Sequence, residues 1–379
     1  MRIRSLVIAL SFASVTACVN SQVDSPAITA DASDTQYELV NVTDAVIIPW
    51  GMVWLNEADM LVTDRGGELR LISDGKLADA KISGLPKLDA RGQGGLLDIE
   101  KHPNFAENGW IYISYSGFEG EESGSNASVV RAKFDKKAMA LTNVEVIFEG
   151  SPNDSNGRHY GSRLEFDNEG YLYVSIGDRG ARDENPQRLD RDAGKVHRIN
   201  YDGSIPKNNP FVSTDNANPS IYSYGHRNPQ GMAKHPKTGD IWTHEHGPRG
   251  GDEINRIVKS TNYGWPIISY GVNYSGTSFT EITEKDGMAQ PNWQWTPSIA
   301  PSGMVFVESD NYPQWKGHML VGSLKFAQVV LVKMDGDKVT GHASLFEGIG
   351  RVRSFSMSPS GYLYVGVDGK GVYKVMPRA

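Results

Sequence analysis

Apolar and polar residues alternate with a period of two along most of the chain, in short runs bounded by Gly, Asp and Asn. That pattern predicts β-strands closed by tight turns. One unit recurs six times, at residues 59–64, 110–115, 171–176, 240–245, 318–323 and 362–367. Several copies follow a strand that ends in a turn, at 164–170, 232–239 and 355–361. Several precede a further short strand, at 68–72, 194–199, 252–257, 329–332 and 371–375. No stretch keeps a 3.6-residue period over three turns. Repeats of roughly 40–60 residues, each a small antiparallel sheet, predict an all-β fold, a six-bladed β-propeller. A pair of β-sandwiches is the rival, and six copies of one unit disfavour it. The spacing is widest in the middle of the chain, so long loops are expected in the middle blades, where chemistry usually sits.

The length of 379 residues would allow two or three average domains; the repeat reduces this to one. The 41 glycines find a cause in the many turns that need positive φ. A net charge of −7 without a Lys/Arg block argues against nucleic-acid binding through a basic face. One Cys excludes an intramolecular disulfide framework, a Cys-rich zinc module and a Cys-ligated iron–sulfur cluster. That Cys, Cys18, ends a segment with basic Arg2 and Arg4, an apolar run at 6–12 and small residues at 15–17. The run is too short to span a bilayer. Residues 1–17 therefore resemble a bacterial lipoprotein signal, cleaved before a lipidated Cys18; an ordinary secretory signal is the alternative. Residues 18–38 read as a flexible tether and 39–379 as the propeller. The protein is expected at the periplasmic face, held to a membrane, with the outer membrane favoured, by lipid only.

Four segments hold polar residues that packing does not require. In residues 91–98, Gly on both sides of Gln93 lets backbone approach a ligand with the amide projecting. In residues 157–163, His159 stands at a blade entrance, as the side chain suited to a general base near neutral pH. Residues 223–231 and 243–253 form the densest polar run; Asp252 and Glu253 in a Gly/Pro loop suit Ca²⁺. His244 and His246 hint at zinc, but no third ligand stands at a typical spacing. Finally, Arg351 and Arg353, at i and i+2, would point to one face of a strand, with Lys325 on a neighbouring loop. Together they describe a receptor for a multiply anionic ligand. Solvated edges and plain turns explain each segment separately. Propeller loops converge on one end of the central channel, so the set points to a polyanionic cofactor bound with a divalent metal.

At these motifs the chain resembles the soluble, pyrroloquinoline quinone (PQQ)-dependent aldose sugar dehydrogenases. The likeness covers about residues 45–376 and rests on segments 49–53, 92–98, 159–163, 175–180, 225–231, 246–253, 262–266, 322–325 and 351–353. It implies a six-bladed propeller that oxidises aldoses at C1 to lactones and passes electrons to an unidentified acceptor. It implies that His159 is the general base and that Arg227 polarises the quinone. Gln93, Arg227, Asn228, Tyr274, Lys325, Arg351 and Arg353 would hold PQQ. The carbonyls of Gly247 and Pro248 would ligate a Ca²⁺ that touches PQQ, and Asp252, Glu253 and the Tyr263 carbonyl a second, structural Ca²⁺.

Two departures matter. Arg158 precedes the base where the glucose-type branch carries an acidic residue, and the loop after Asp178 is short and charged. The first bears on the tuning of the base and on sugar preference; the second predicts an open, less selective pocket with broad aldose use. A Ca²⁺-dependent lactonase and a non-catalytic binding propeller are the rivals. A neutral lactone needs no anion receptor, and a binding module needs no His159. The state is expected to be monomer or homodimer.

Overall fold

A computed structural model describes residues 33–120 and 122–378. Six four-stranded antiparallel sheets follow one another in sequence, as the repeat predicts. Their innermost strands are Pro49–Trp54, Leu96–Lys101, Leu164–Phe166, Pro229–Lys234, Pro301–Phe306 and Val352–Met357. These define blades one to six. Each touches the next around a ring, and the first touches the last. Among the described residues the one helix is the single turn Phe105–Asn108, and no helix is long and apolar enough to cross a membrane.

The strand sequences follow from the ring. In Asp59–Asp64 every residue is buried, because a second strand has a blade on either side. Period-two geometry sends successive side chains to opposite faces. Met60 and Val62 pack with Tyr364 and Val372 of blade six. Leu61, between them, packs with Ile99 and Ile113 of blade two. One strand thus serves two cores.

Closure comes from the chain's beginning. Tyr37–Thr43 pairs antiparallel with Gly371–Pro377 as the outermost strand of blade six. Tyr37 is buried against Tyr312 and Trp315. The propeller therefore starts at Tyr37, not at residue 39 as the composition of the preceding segment implied. Polar composition hid a strand whose exposed face is solvated. Cys18, the signal segment and most of the expected tether lie outside the described residues.

The axis is closed by one side chain. Arg163, at the entrance to blade three, is buried. Its Nε donates to the Gln230 carbonyl of blade four at 2.8 Å. Its Nη1 donates to the Trp50 carbonyl of blade one at 3.1 Å and to Asp98 Oδ1 of blade two at 3.3 Å. Its Nη2 donates to the Arg353 carbonyl of blade six at 3.2 Å. The guanidinium also lies 3.9 Å from the Trp50 ring centroid. Blade five joins through Ser302 Oγ, which donates to the same Arg353 carbonyl at 3.0 Å. Arg163 lines a cavity of about 780 Å³ in the channel, and Trp50, Gln230 and Arg353, whose carbonyls it binds, line a second of about 980 Å³.

Arg163→Met would leave the Asp98 carboxylate buried without its cation. Urea unfolding followed by tryptophan fluorescence should show a loss of about 3–5 kcal/mol. A loss below about 1 kcal/mol would contradict the axial role.

Candidate active site

The larger cavity opens at the end of the ring where the innermost strands begin. At that end two kinds of segment meet: the entrances to the innermost strands, and the hairpins joining second to third strands. Gln93, His159, Arg227, Asn228 and Arg351 lie in or beside the first kind, with Arg353 just inside its strand. Gly247, Pro248 and Lys325 lie in the second, with Asp178, Arg65 and Asp368. Positions more than two hundred residues apart thus face one space.

His159 has φ 53°, a left-handed conformation rare for a side-chain-bearing residue. Two interlocking bonds hold it. Its N–H donates to Gln93 Oε1 at 2.7 Å, and the Gln93 N–H donates to the Gly157 carbonyl at 2.8 Å. Gly92 is required here: a Cβ would stand 2.3 Å from the Gly157 oxygen. His159 Nδ1 donates to Asp178 Oδ1 at 2.6 Å. Asp178 is itself fixed, since its Oδ2 accepts the Trp265 indole N–H at 2.8 Å and its backbone N–H donates to the Arg227 carbonyl at 2.7 Å. With Nδ1 committed to a carboxylate, Nε2 is the nitrogen left to take a proton. Burial, Arg227 and Arg158 push the His159 pKa below its ordinary value, against the pull of Asp178. Burial opposes ionisation of Asp178, but His159 and Arg227 still hold it below the ordinary carboxylate range. The imidazole is therefore neutral at neutral pH, the state a base requires.

His159, Asp178 and Arg227 line a cavity of about 370 Å³ with Arg158, Asp183, Glu184 and Asn273. It shares Pro248 and Tyr274 with the 980 Å³ cavity. Arg227 is buried; its Nη1 donates to the carbonyls of His246 and Gly247, both at 2.9 Å. Glu245 secures the segment behind it, accepting the backbone N–H of Arg227 and of Asn228.

The larger cavity is lined by Gln93, Asn228, Gly247, Pro248, Tyr274, Lys325, Arg351 and Arg353. It is also lined by Arg65 and Arg249, which the pattern did not single out. Five cationic side chains and no carboxylate face this space. The two arginines at i and i+2 differ. Arg353 is buried and grips Asp368 through Nε and Nη2 at 3.1 and 2.8 Å. Arg351 is exposed and lies 3.5 Å from the same carboxylate. A register shift between Val352 and Ser354 separates their directions.

Asp252 and Glu253 also diverge, as neighbours on a strand must. Asp252 Oδ1 accepts the Gly247 N–H at 2.8 Å. Its Oδ2 accepts Ser298 Oγ–H and the N–H groups of Ile299 and Ala300 at 2.7–2.9 Å. It lines none of the cavities around the site. Glu253 instead faces a cavity of about 10 Å³ with Tyr263 and Glu245. Burial and the Glu245 carboxylate push Glu253 up to about 8. Two carboxylates crowded at one small void form a place that a cation would relieve. His244 and His246 each donate Nε2–H to carbonyls of blade five, those of Gly303 and Pro301. Among the described residues no group of three His, Cys, Asp or Glu is placed to hold a metal.

The family model for glucose/sorbosone dehydrogenase matches residues 46–374. The chain is 41% identical to aldose sugar dehydrogenase YliI of Escherichia coli over 336 residues, 87% of this chain and 90% of that protein. The fold superposes on the apo form of the soluble aldose sugar dehydrogenase from Escherichia coli with a TM-score of 0.86 and 39% identity, covering 90% and 100% of the two chains. It superposes on the PQQ-bound form of an aldose sugar dehydrogenase from Streptomyces coelicolor with a TM-score of 0.73 and 25% identity, covering 90% and 97%.

Titration of His159 by ¹⁵N NMR should give a midpoint below the ordinary value of about 6.5. Asp178→Asn removes the group that raises it, so the midpoint should move lower still. A midpoint above about 6.5, or an upward shift in the variant, would contradict the dyad.

Proposed function

The chain belongs to the glucose/sorbosone dehydrogenase family, and from that premise we propose that it oxidises aldoses at C1 to lactones, with PQQ as hydride acceptor and Ca²⁺ as its partner ion. One observation carries the reading: a neutral His–Asp dyad opens beside a cavity lined by five cations and no carboxylate. PQQ is a flat tricarboxylate, and its charge matches that lining. The PQQ-bound relative supports the same cofactor.

Gln93, Asn228, Tyr274, Lys325, Arg351 and Arg353 would hold PQQ. When bound, PQQ would supply an ortho-quinone able to accept the C1 hydride, which carries both electrons of the oxidation. The sugar would occupy the smaller cavity, with its anomeric hydroxyl toward His159 Nε2. His159 takes the hydroxyl proton as the C1 hydride departs, so the hemiacetal becomes a lactone. Asp178 keeps the imidazole oriented and stabilises the imidazolium that results. Arg227 lines the sugar cavity and is held in place by the carbonyls of His246 and Gly247, where its charge favours negative charge developing on the acceptor. An ion near Gly247 and Pro248 would take carbonyl oxygens, the donors Ca²⁺ prefers. Glu253 and the Tyr263 carbonyl would take a second Ca²⁺. Asp252 would serve that pair of sites from behind, by holding the Gly247 N–H. The electrons then leave to an external acceptor. The exposed rim of Arg158, Asp183 and Glu184 favours several aldoses over one. Lipidation of Cys18 would keep this activity at the periplasmic face of a membrane.

The test is reconstitution. The purified protein with PQQ and Ca²⁺ should reduce an artificial dye when an aldose is added. His159→Ala should keep PQQ but lose turnover by at least ~100-fold. PQQ binding without turnover on any common aldose would overturn the proposal, and lactone hydrolysis without PQQ would favour the lactonase.

A further inference from the structure

Arg65 in blade one and Lys325 in blade five stand in the same kind of hairpin, Arg65 one position earlier than Lys325. Each follows the end of a second strand, Asp59–Asp64 and Met319–Ser323, in the hairpin that faces the large cavity. The backbone of Arg65 is clamped. Its N–H donates to the Ile48 carbonyl at 3.0 Å and its carbonyl accepts the Leu96 N–H at 3.1 Å. The stem runs beside Gly95: a Cβ there would fall 1.9 Å from the Arg65 oxygen and 2.9 Å from its Cγ. Gly95 is therefore part of the seat of Arg65.

The guanidinium is half-buried and lines the cavity. The carboxylates around it are committed elsewhere. Asp64 accepts the N–H groups of Ile47, Ile48 and Gly66. Asp368 is held by Arg353 and Arg351. Among the described residues Arg65 makes neither an ion pair nor a side-chain hydrogen bond, while Arg353 spends all three of its nitrogens on Asp368 and Ser302. A partly desolvated guanidinium beside another arginine is costly unless an anion comes to it. Burial and the neighbouring Arg353 push its pKa down, against the pull of Asp368 and Asp64.

We propose that Arg65 is a direct receptor for a carboxylate of PQQ: it is half-buried and makes no ion pair, whereas Arg249, the other such guanidinium lining the cavity, is exposed to solvent. This rests on the reading that PQQ occupies the large cavity. Arg351 and Arg353 would then share Asp368 as well as the cofactor, while Arg65 and Lys325 face it without an ion pair to any described carboxylate. A planar fork binding a carboxylate is more demanding than a point charge. Lysine at 65 should therefore replace arginine only in part.

The test is binding. Quenching of tryptophan fluorescence, with Trp50 in the cavity wall, reports PQQ titrated into the purified protein in Ca²⁺ without any sugar. Arg65→Met should weaken binding by about 10- to 100-fold, and Arg65→Lys by less. The trimethyl ester of PQQ, which lacks the charges, should bind wild type and Arg65→Met within about twofold of each other. Thermal melts of both variants check folding, and Arg65→Lys keeps the comparison open should the methionine variant unfold. Equal PQQ affinity in wild type and a folded Arg65→Met, or an equal loss for the ester, would overturn the role of Arg65 alone. Failure of the wild type itself to bind PQQ would overturn the cofactor reading and this proposal with it.

Discussion

The Arg163 guanidinium on the propeller axis is the constraint on which the rest of the structure depends. A charge removed from water must find acceptors on every side, or it costs several kcal/mol. Here the acceptors come from the innermost strands of blades one, four and six, or the segments entering them, and from the Asp98 carboxylate of blade two. Meeting them all fixes how those strands stand relative to one another along the axis. His159 lies four residues before Arg163 on the same segment. Setting the plug therefore also sets the base against Gln93 and Asp178.

Symmetry and charge then divide the labour. The ring repeats its hairpins, so each blade offers one strand entrance and one hairpin to the same opening. The chain fills those positions with unlike residues: amides, a base and arginines at the strand entrances, and further cations, carboxylates and glycine-borne carbonyls in the hairpins. The protein as a whole is acidic, with a net charge of −7, yet its large cavity presents cations alone. Net charge describes solubility and long-range behaviour, whereas a site is decided by what faces it.

The fold was legible because period-two alternation repeated six times leaves few architectures. The start of the closing strand was not, since Tyr37 and Glu38 end a polar run and read with it as linker. Among the candidate site residues, Gln93 and His159 stand out beside glycines, and Lys325, Arg351 and Arg353 as clustered cations, whereas Tyr274 and the carbonyls of Gly247 and Pro248 rest on the family resemblance alone. Asp178 escaped because a carboxylate before Arg-Gly looks like a turn residue, and only the fold brings it to Nδ1 of His159. Arg65 escaped for the same reason, sitting in a tight turn between two strands. Asp252 and Glu253, adjacent in sequence, looked like one donor pair, and strand geometry sends them to opposite faces. Arg351 and Arg353 looked equivalent, until the shift at Val352 buried one and exposed the other.

The central claim is that a hydride leaves C1 of an aldose while His159 takes the hydroxyl proton. Stopped-flow reduction of the PQQ-loaded protein by glucose deuterated at C1 tests it most directly. The account predicts a primary isotope effect of at least about 2 on the observed reduction, with an acid limb set by a group titrating below about 6.5. Reduction at the same rate for the protiated and deuterated sugars, with no dependence on His159, would contradict it.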